Sequence, residues 1–180
     1  MPLVGRQLSL AGLGEALPLA AKSIDIAICF NAIDHMQDPS AALAEISRVL
    51  RPGGLLYSEA PFLQPAHGGR YDFHRFTALG HRRLFRGFDS IATGSCNGPG
   101  TTLAMAARFF LLSYARARWT RDAIKLFTSC TLFWLKYFDY LTPPAGGVDA
   151  ASGTYFLGRK SNSMVSDTEI VNQYAGAVQL

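Results

Sequence analysis

The segment PFLQPAHGGRYDFHRF, residues 61–76, crowds His67, Asp72, His74 and Arg75 together. A carboxylate beside an imidazole sets its tautomer and favours its charged form, so such a pair can take up and return a proton near neutral pH. Arg75 adds a forked guanidinium suited to an anionic ligand. A second acid–imidazole pair, Asp34-His35, stands in FNAIDHMQDP. The same residue types also suit hydrogen bonds that tie a loop to itself and to the sheet. His35, His67 and His74 are the candidates for proton transfer, and Asp72 and Arg75 for holding a substrate. His81, next to Arg82 and Arg83, reads as an exposed helix residue. GLGEAL, Gly12 to Leu17, has two of the three glycines of a dinucleotide fingerprint, and Pro18 opposes a long helix from Gly14.

The elements that must position these residues follow from pattern. IDIAICF, 24–30, is a short apolar run and predicts a fully buried parallel-type strand. Asp38-Pro39 predicts a helix start, and Leu43, Ile46, Val49 and Leu50 recur at helical spacing. Pro52-Gly53-Gly54 predicts the stop, and LLYSEA, 55–60, the next strand. Strand, helix and strand in this order form a βαβ unit with parallel strands. Residues 61–76 form a loop, Thr77 caps a short helix to Phe85, and FDSIATGSC, 88–96, is a further strand. Residues 103–141 are helical and unusually apolar, TYFLGRK at 154–160 returns to strand, and 161–180 reads as a flexible tail.

A chain of 180 residues suits one domain, and 49% hydrophobic with 17% charged residues describes a globular protein. The net charge of +4 is mild, with basic residues clustered at Arg70–Arg86 and Arg108–Lys125. Such clusters are solvated faces or meet anionic substrates or membranes. No aromatic–basic RNA motif, zinc spacing or helix-turn-helix pattern is present, which argues against nucleic acid as a partner. Cys29, Cys96 and Cys130 are odd in number and far apart, so neither a disulfide framework nor a metal site is expected, and a reducing cytoplasm is. MPLVGRQLSL lacks the pattern of a signal peptide. Charges such as Arg108, Arg116, Asp122 and Lys136 break the apolar 103–141 region too often for a membrane span. That region is expected to pack on the domain or on a partner chain, as a homo- or hetero-oligomer, or to lie peripherally on a bilayer.

The order of motifs in LPLAAKSIDIAICFNAIDHMQDPSAALAEISRVLRPGGLLYSEAP resembles the middle of a class I S-adenosylmethionine-dependent methyltransferase, with RVLRPGG in that setting the most specific part. YDFHRFTALGHRRLF and DAASGTYFLGRK resemble the carboxyl-terminal part of members of that family. The resemblance implies an α/β fold: a truncated Rossmann-like methyltransferase sheet, mostly parallel with an antiparallel last strand, plus a helical insertion at about 98–141. Residues 1–160 would form this partial domain, with the family's strands four, five, six and seven at 24–30, 55–60, 91–96 and 154–160. It also implies S-adenosylmethionine as cofactor and a small or lipid-like methyl acceptor. Asn31, Ala32 and Ile33 would lie beside the cofactor's methionine part, Asp34 and His35 at its boundary with the acceptor, and Gly14 and Glu15 against the adenine. The family's glycine-rich turn and ribose-binding acid would precede Leu8, and Leu13 stands where the family often has an adenine-binding aspartate. The alternative is a non-catalytic methyltransferase-like module that binds a partner chain or a membrane surface.

Overall fold

The structure, a computed structural model, describes residues 11–176. The segment MPLVGRQLSL lies outside the described residues. Strand β1, Ile24–Phe30, pairs in parallel with β2, Leu50–Pro61, and helix α1, Pro39–Val49, makes the crossover. Asp38 starts α1 as expected: its Oδ1 accepts from the Ser40 and Ala41 amides at 2.9 and 3.0 Å, satisfying two helix-end donors. The Pro-Gly-Gly expected between helix and strand instead lies within β2. The register jumps from Ile24 opposite Leu50 to Ile26 opposite Leu55, and Gly53 takes a φ of 72°. This is a bulge, which tolerates a proline without an N–H and uses a glycine for the left-handed residue.

Helix α2, Ala78–Leu84, is capped by the Thr77 side chain and leads into β3, Phe88–Asn97. The helical insertion follows as α3, Pro99–Ser113, α4, Arg118–Thr131, a 3-10 stretch, Phe133–Leu141, and α5, Pro144–Asp149. Strand β4, Gly153–Lys160, then enters between β2 and β3, antiparallel to both. The sheet order is β1-β2-β4-β3. The expected mixed sheet with an antiparallel last strand is therefore present.

The core lies between this sheet and α1 and α2, where Ile46, Leu50, Leu56, Phe85, Phe88 and Phe156 are buried. Phe85 stacks on Phe156 at 5.0 Å. Cys29 is buried beside Ile33, Ala42 and Ala60 as a small core residue. The expectation of full burial for β1 fails, since Cys29 is its one buried residue. Ile26, Ile28 and Phe30 on the other face are exposed, because no described element covers that side.

Three further readings change. His81 is 1% exposed, not a surface residue: its ring sits between Ser58 Oγ at 3.0 Å and Thr154 Oγ1 at 3.1 Å. Arg82 is also buried, donating to the Phe85 carbonyl and to Gln173. Finally, the 161–180 segment contains a helix, α6, Asp167–Asn172, started by a reciprocal Ser166–Glu169 capping box. Ile170 buries itself beneath it, and Asp167 pairs with Arg83 and Arg86. An apolar anchor and a satisfied cap outweigh the polar composition that suggested a frayed end.

Candidate functional site

The site is built where β1 ends. Asn31 takes a φ of 42°, a left-handed conformation uncommon outside glycine, and so turns the chain sharply out of the sheet. The 3-10 turn Ile33–His35 follows directly. Ile33 drops into the core, so its side chain cannot meet a cofactor, whereas Asn31 stays exposed. Asp34 is wholly buried and both its carboxylate oxygens lack a hydrogen-bond partner.

The 61–76 loop folds over this turn. The Phe73 and His74 amides both donate to the Asp34 carbonyl at 3.1 Å. The His35 Nδ1 donates to the Tyr71 carbonyl at 2.9 Å. Gly68, at a φ of 70°, lies so close that a Cβ there would come within 2.5 Å of the His35 ring. The result brings three separated side chains together. His67 Nε2 stands 3.3 Å and His35 Nε2 3.5 Å from Asp34 Oδ2, and the two rings meet edge to face at 5.1 Å.

The other expected site residues go elsewhere. Asp72 and Arg75, the expected substrate contacts, form the clasp of the loop. Arg75 grips both Asp72 oxygens and also donates to the carbonyls of Gln64, Pro65 and His74. Asp72 in turn accepts from the His67 amide at 2.7 Å. The Arg75 guanidinium beside Asp72 holds its carboxyl well below the usual carboxylate range. An arginine whose fork is filled in this way has no free face for an anion. The His74 ring packs against Phe73 and Phe76 and is not among the side chains grouped with Asp34.

The turn before β1 is fastened to the same edge. Glu15 accepts from the Gln37 and Asp38 amides at 3.2 and 3.4 Å, so its carboxylate faces the β1 loop. Gly14 sits against Met36, where a Cβ would come within 2.6 Å of the methyl group. Glu45 accepts from the Leu17 amide, and Arg48 donates to Glu45 and to the Leu17 and Leu19 carbonyls. Arg48 beside Glu45 holds that carboxyl down at about 2. The LPL turn is thus pinned to α1.

A separate cavity of 680 Å³ lies between β3 and the helical insertion, lined in part by Cys96, Thr101, Arg108 and Asp139. Its polar groups have structural duties: Asp139 accepts from the Gly100 and Thr101 amides at the start of α3, and Arg108 donates to Thr128 and Ser129. Burial, with Glu59 nearby, pushes the Cys96 thiol up to about 12, so it is not a nucleophile near neutral pH. None of the Asp34, His35 and His67 side chains lines this cavity.

Residues 4–58 match the methyltransferase domain family. The fold aligns with an S-adenosylmethionine-dependent methyltransferase of Thermotoga maritima at TM-score 0.50 and 19% identity, over 84% of this chain and 63% of that one. The chain has the class I S-adenosylmethionine-dependent methyltransferase fold. Phosphoethanolamine N-methyltransferase 2 of Haemonchus contortus, solved in complex with S-adenosyl-L-methionine, aligns at TM-score 0.52 and 12% identity, over 83% of this chain and 36% of that one. In sequence, 47 residues are 51% identical to an uncharacterized 37.1 kDa protein in a Streptomyces fradiae transposon, TN4556. A stretch of 45 residues is 44% identical to the uncharacterized protein YafE of Escherichia coli. These stretches cover 26% and 25% of this chain and 14% and 22% of the relatives.

Within this methyltransferase fold the cluster lies at the carboxyl end of a parallel strand, where open α/β sheets bind ligands. All three members were legible as candidate site residues, Asp34 through its pairing with His35 in FNAIDHMQDP. The role of Asp34 as their common centre was not, because residues 34 and 67 meet only through the loop. Gly68-Gly69 was the available signal, since paired glycines mark left-handed turns.

Proposed function

We propose that this chain acts in methyl transfer from S-adenosylmethionine to a small or lipid-like acceptor, with the chemistry at the carboxyl end of β1. The observation that carries this reading is the wholly buried Asp34 carboxylate facing the imidazoles of His35 and His67.

The end of β1 fits one side of such a cofactor. The left-handed turn at Asn31 leaves that residue exposed and Ala32 partly so, and the apolar side chains of Leu13 and Phe30 are exposed. Asn31, Ala32 and the turn at Gly14-Glu15 would hold it, the last two through backbone and outer face because the Glu15 carboxylate is engaged. S-adenosylmethionine supplies a methyl group on an electrophilic sulfonium. The chain's own part is positioning, since an in-line attack depends mainly on orientation. An acceptor hydroxyl must also lose a proton, and the Nε2 atom of His67 or His35 can take it. Asp34 then stabilises the imidazolium, as a buried acid does in other imidazole-based sites.

Calorimetric titration of the purified chain with S-adenosylmethionine tests the proposal. Binding heat and a raised melting temperature are expected. Neither effect at millimolar cofactor would sink the idea that this chain holds the cofactor by itself.

A second reading, a non-catalytic methyltransferase-like module, is favoured by a different observation. The helical insertion exposes Phe110, Trp119, Leu126, Phe127, Tyr140 and Leu141, an apolar surface suited to a partner chain or a peripheral membrane contact. No described helix is long and apolar enough to cross a membrane. Flotation with anionic liposomes at low salt, and light scattering for oligomers, would reveal either contact. A chain that binds no cofactor but floats or associates belongs to this second class.

A further inference from the structure

We infer that Asp34, His35 and His67 form a binding site for one divalent transition-metal ion of the zinc type. The inference deepens the reading above, because the ion would sit in the cluster proposed to face the acceptor.

The case rests on proton bookkeeping around a buried acid. Asp34 is wholly buried with neither carboxylate oxygen hydrogen-bonded, a state that costs free energy unless a cation compensates it. His35 donates Nδ1–H to the Tyr71 carbonyl, since a carbonyl can only accept. In the neutral ring its Nε2 therefore carries a lone pair, and that lone pair faces Asp34 Oδ2 at 3.5 Å. Two lone pairs facing each other across a buried gap need a cation between them, a proton or a metal ion. His67 presents Nε2 to the same oxygen at 3.3 Å, and its own Nδ1 is buried without a hydrogen-bond partner. All three ligand atoms lie within 4.8 Å of one another.

The spacing suits a metal ion. Bonds of about 2.0–2.1 Å at a tetrahedral angle place neighbouring ligand atoms about 3.3 Å apart. The two measured separations fall at or just beyond this value. The outer partners are those a metal site uses. A backbone carbonyl fixes the His35 tautomer, and the close approach of Gly68 fixes its ring. Two imidazoles and one carboxylate select a first-row transition ion or zinc over magnesium or calcium, which prefer all-oxygen sets. Three protein ligands leave a coordination position open, the pattern of a catalytic rather than a structural site. An acceptor oxygen bound there would lose its proton to solvent more readily, and the two imidazoles would then serve as ligands rather than as the base.

The test uses tag-free, chelator-stripped full chain titrated with Co²⁺ in the absence of S-adenosylmethionine. The expected result is visible d–d absorption that saturates at one ion per chain, is displaced by Zn²⁺ and is unaffected by Mg²⁺. Asp34→Asn, His67→Ala and His35→Ala should each weaken binding at least about ten-fold. His74→Ala, outside the cluster, should bind as the parent does. Because Asp34 is buried, each variant is first melted in chelator. His35, half-exposed, supplies the variant that keeps the fold if Asp34→Asn does not. Absence of the absorption, or equal affinity in folded Asp34→Asn or His35→Ala, would overturn the inference. Cofactor titration is a separate measurement, so the two proposals fail independently.

Discussion

Gly68 and His35 are in direct contact: a Cβ on Gly68 would lie 2.5 Å from His35 Cε1. Gly68 also has a φ of 70°, so two requirements coincide at one residue. Gly69, its neighbour, has a φ of 61° but nothing within 4 Å of an added Cβ. Gly69→Ala should therefore cost only the left-handed backbone penalty, about 1–2 kcal/mol. Gly68→Ala should cost about 2–4 kcal/mol, since the His35 ring must also move. Urea melts of the two variants would show the difference, and equal losses would mean that the contact does not position His35.

His81 gives the protein an acid-side weakness. Burial pushes its imidazole down to about 4. The unfolded chain, with an ordinary histidine near 6.5, binds the proton first, so stability falls as pH drops from about 6.5 towards 4. The full loss is about 3 kcal/mol. Equilibrium unfolding across that range should show the slope, and His81→Gln should remove most of it.

Arg75 separates a clasp from a ligand contact. Arg75→Lys loses the two-pronged grip on Asp72, which is only 4% exposed, and should destabilise by about 2–3 kcal/mol. If Arg75 instead held an acceptor, this variant would change ligand affinity and leave the melting temperature alone.

Ile170 measures how firmly the carboxyl-terminal helix α6 belongs to the domain. It is 2% exposed, so Ile170→Ala should cost about 2–4 kcal/mol in denaturant unfolding. A loss under 0.5 kcal/mol or so, the size of a surface substitution, would show that the segment is merely attached.

Much of the frame was legible because local rules and tertiary packing agree. Asp38-Pro39 and Thr77 start helices at the expected places, and IDIAICF and TYFLGRK are strands with little change of boundary. The misreadings share a cause. His81, Arg82 and Ile170 sit among polar neighbours, and their burial depends on β4, α2 and α6 packing together across more than 70 residues. Pro52-Gly53-Gly54 looks like a terminator locally, yet pairing with β1 draws it into a bulged strand.

The candidate site divides along the same line. By itself the sequence determined the βαβ frame, the loop rich in imidazole and acid, and the family resemblance, because each is written in short-range spacing. Only the tertiary structure decided which of those side chains meet. The Asp34 carbonyl draws in the Phe73 and His74 amides, and the Asp72–Arg75 clasp closes the loop. Closure turns His67 towards Asp34, while Gly68 lets the loop pass close to His35. No pattern in the chain specifies that convergence, because it results from backbone hydrogen bonds that become available only once the loop lies on the sheet.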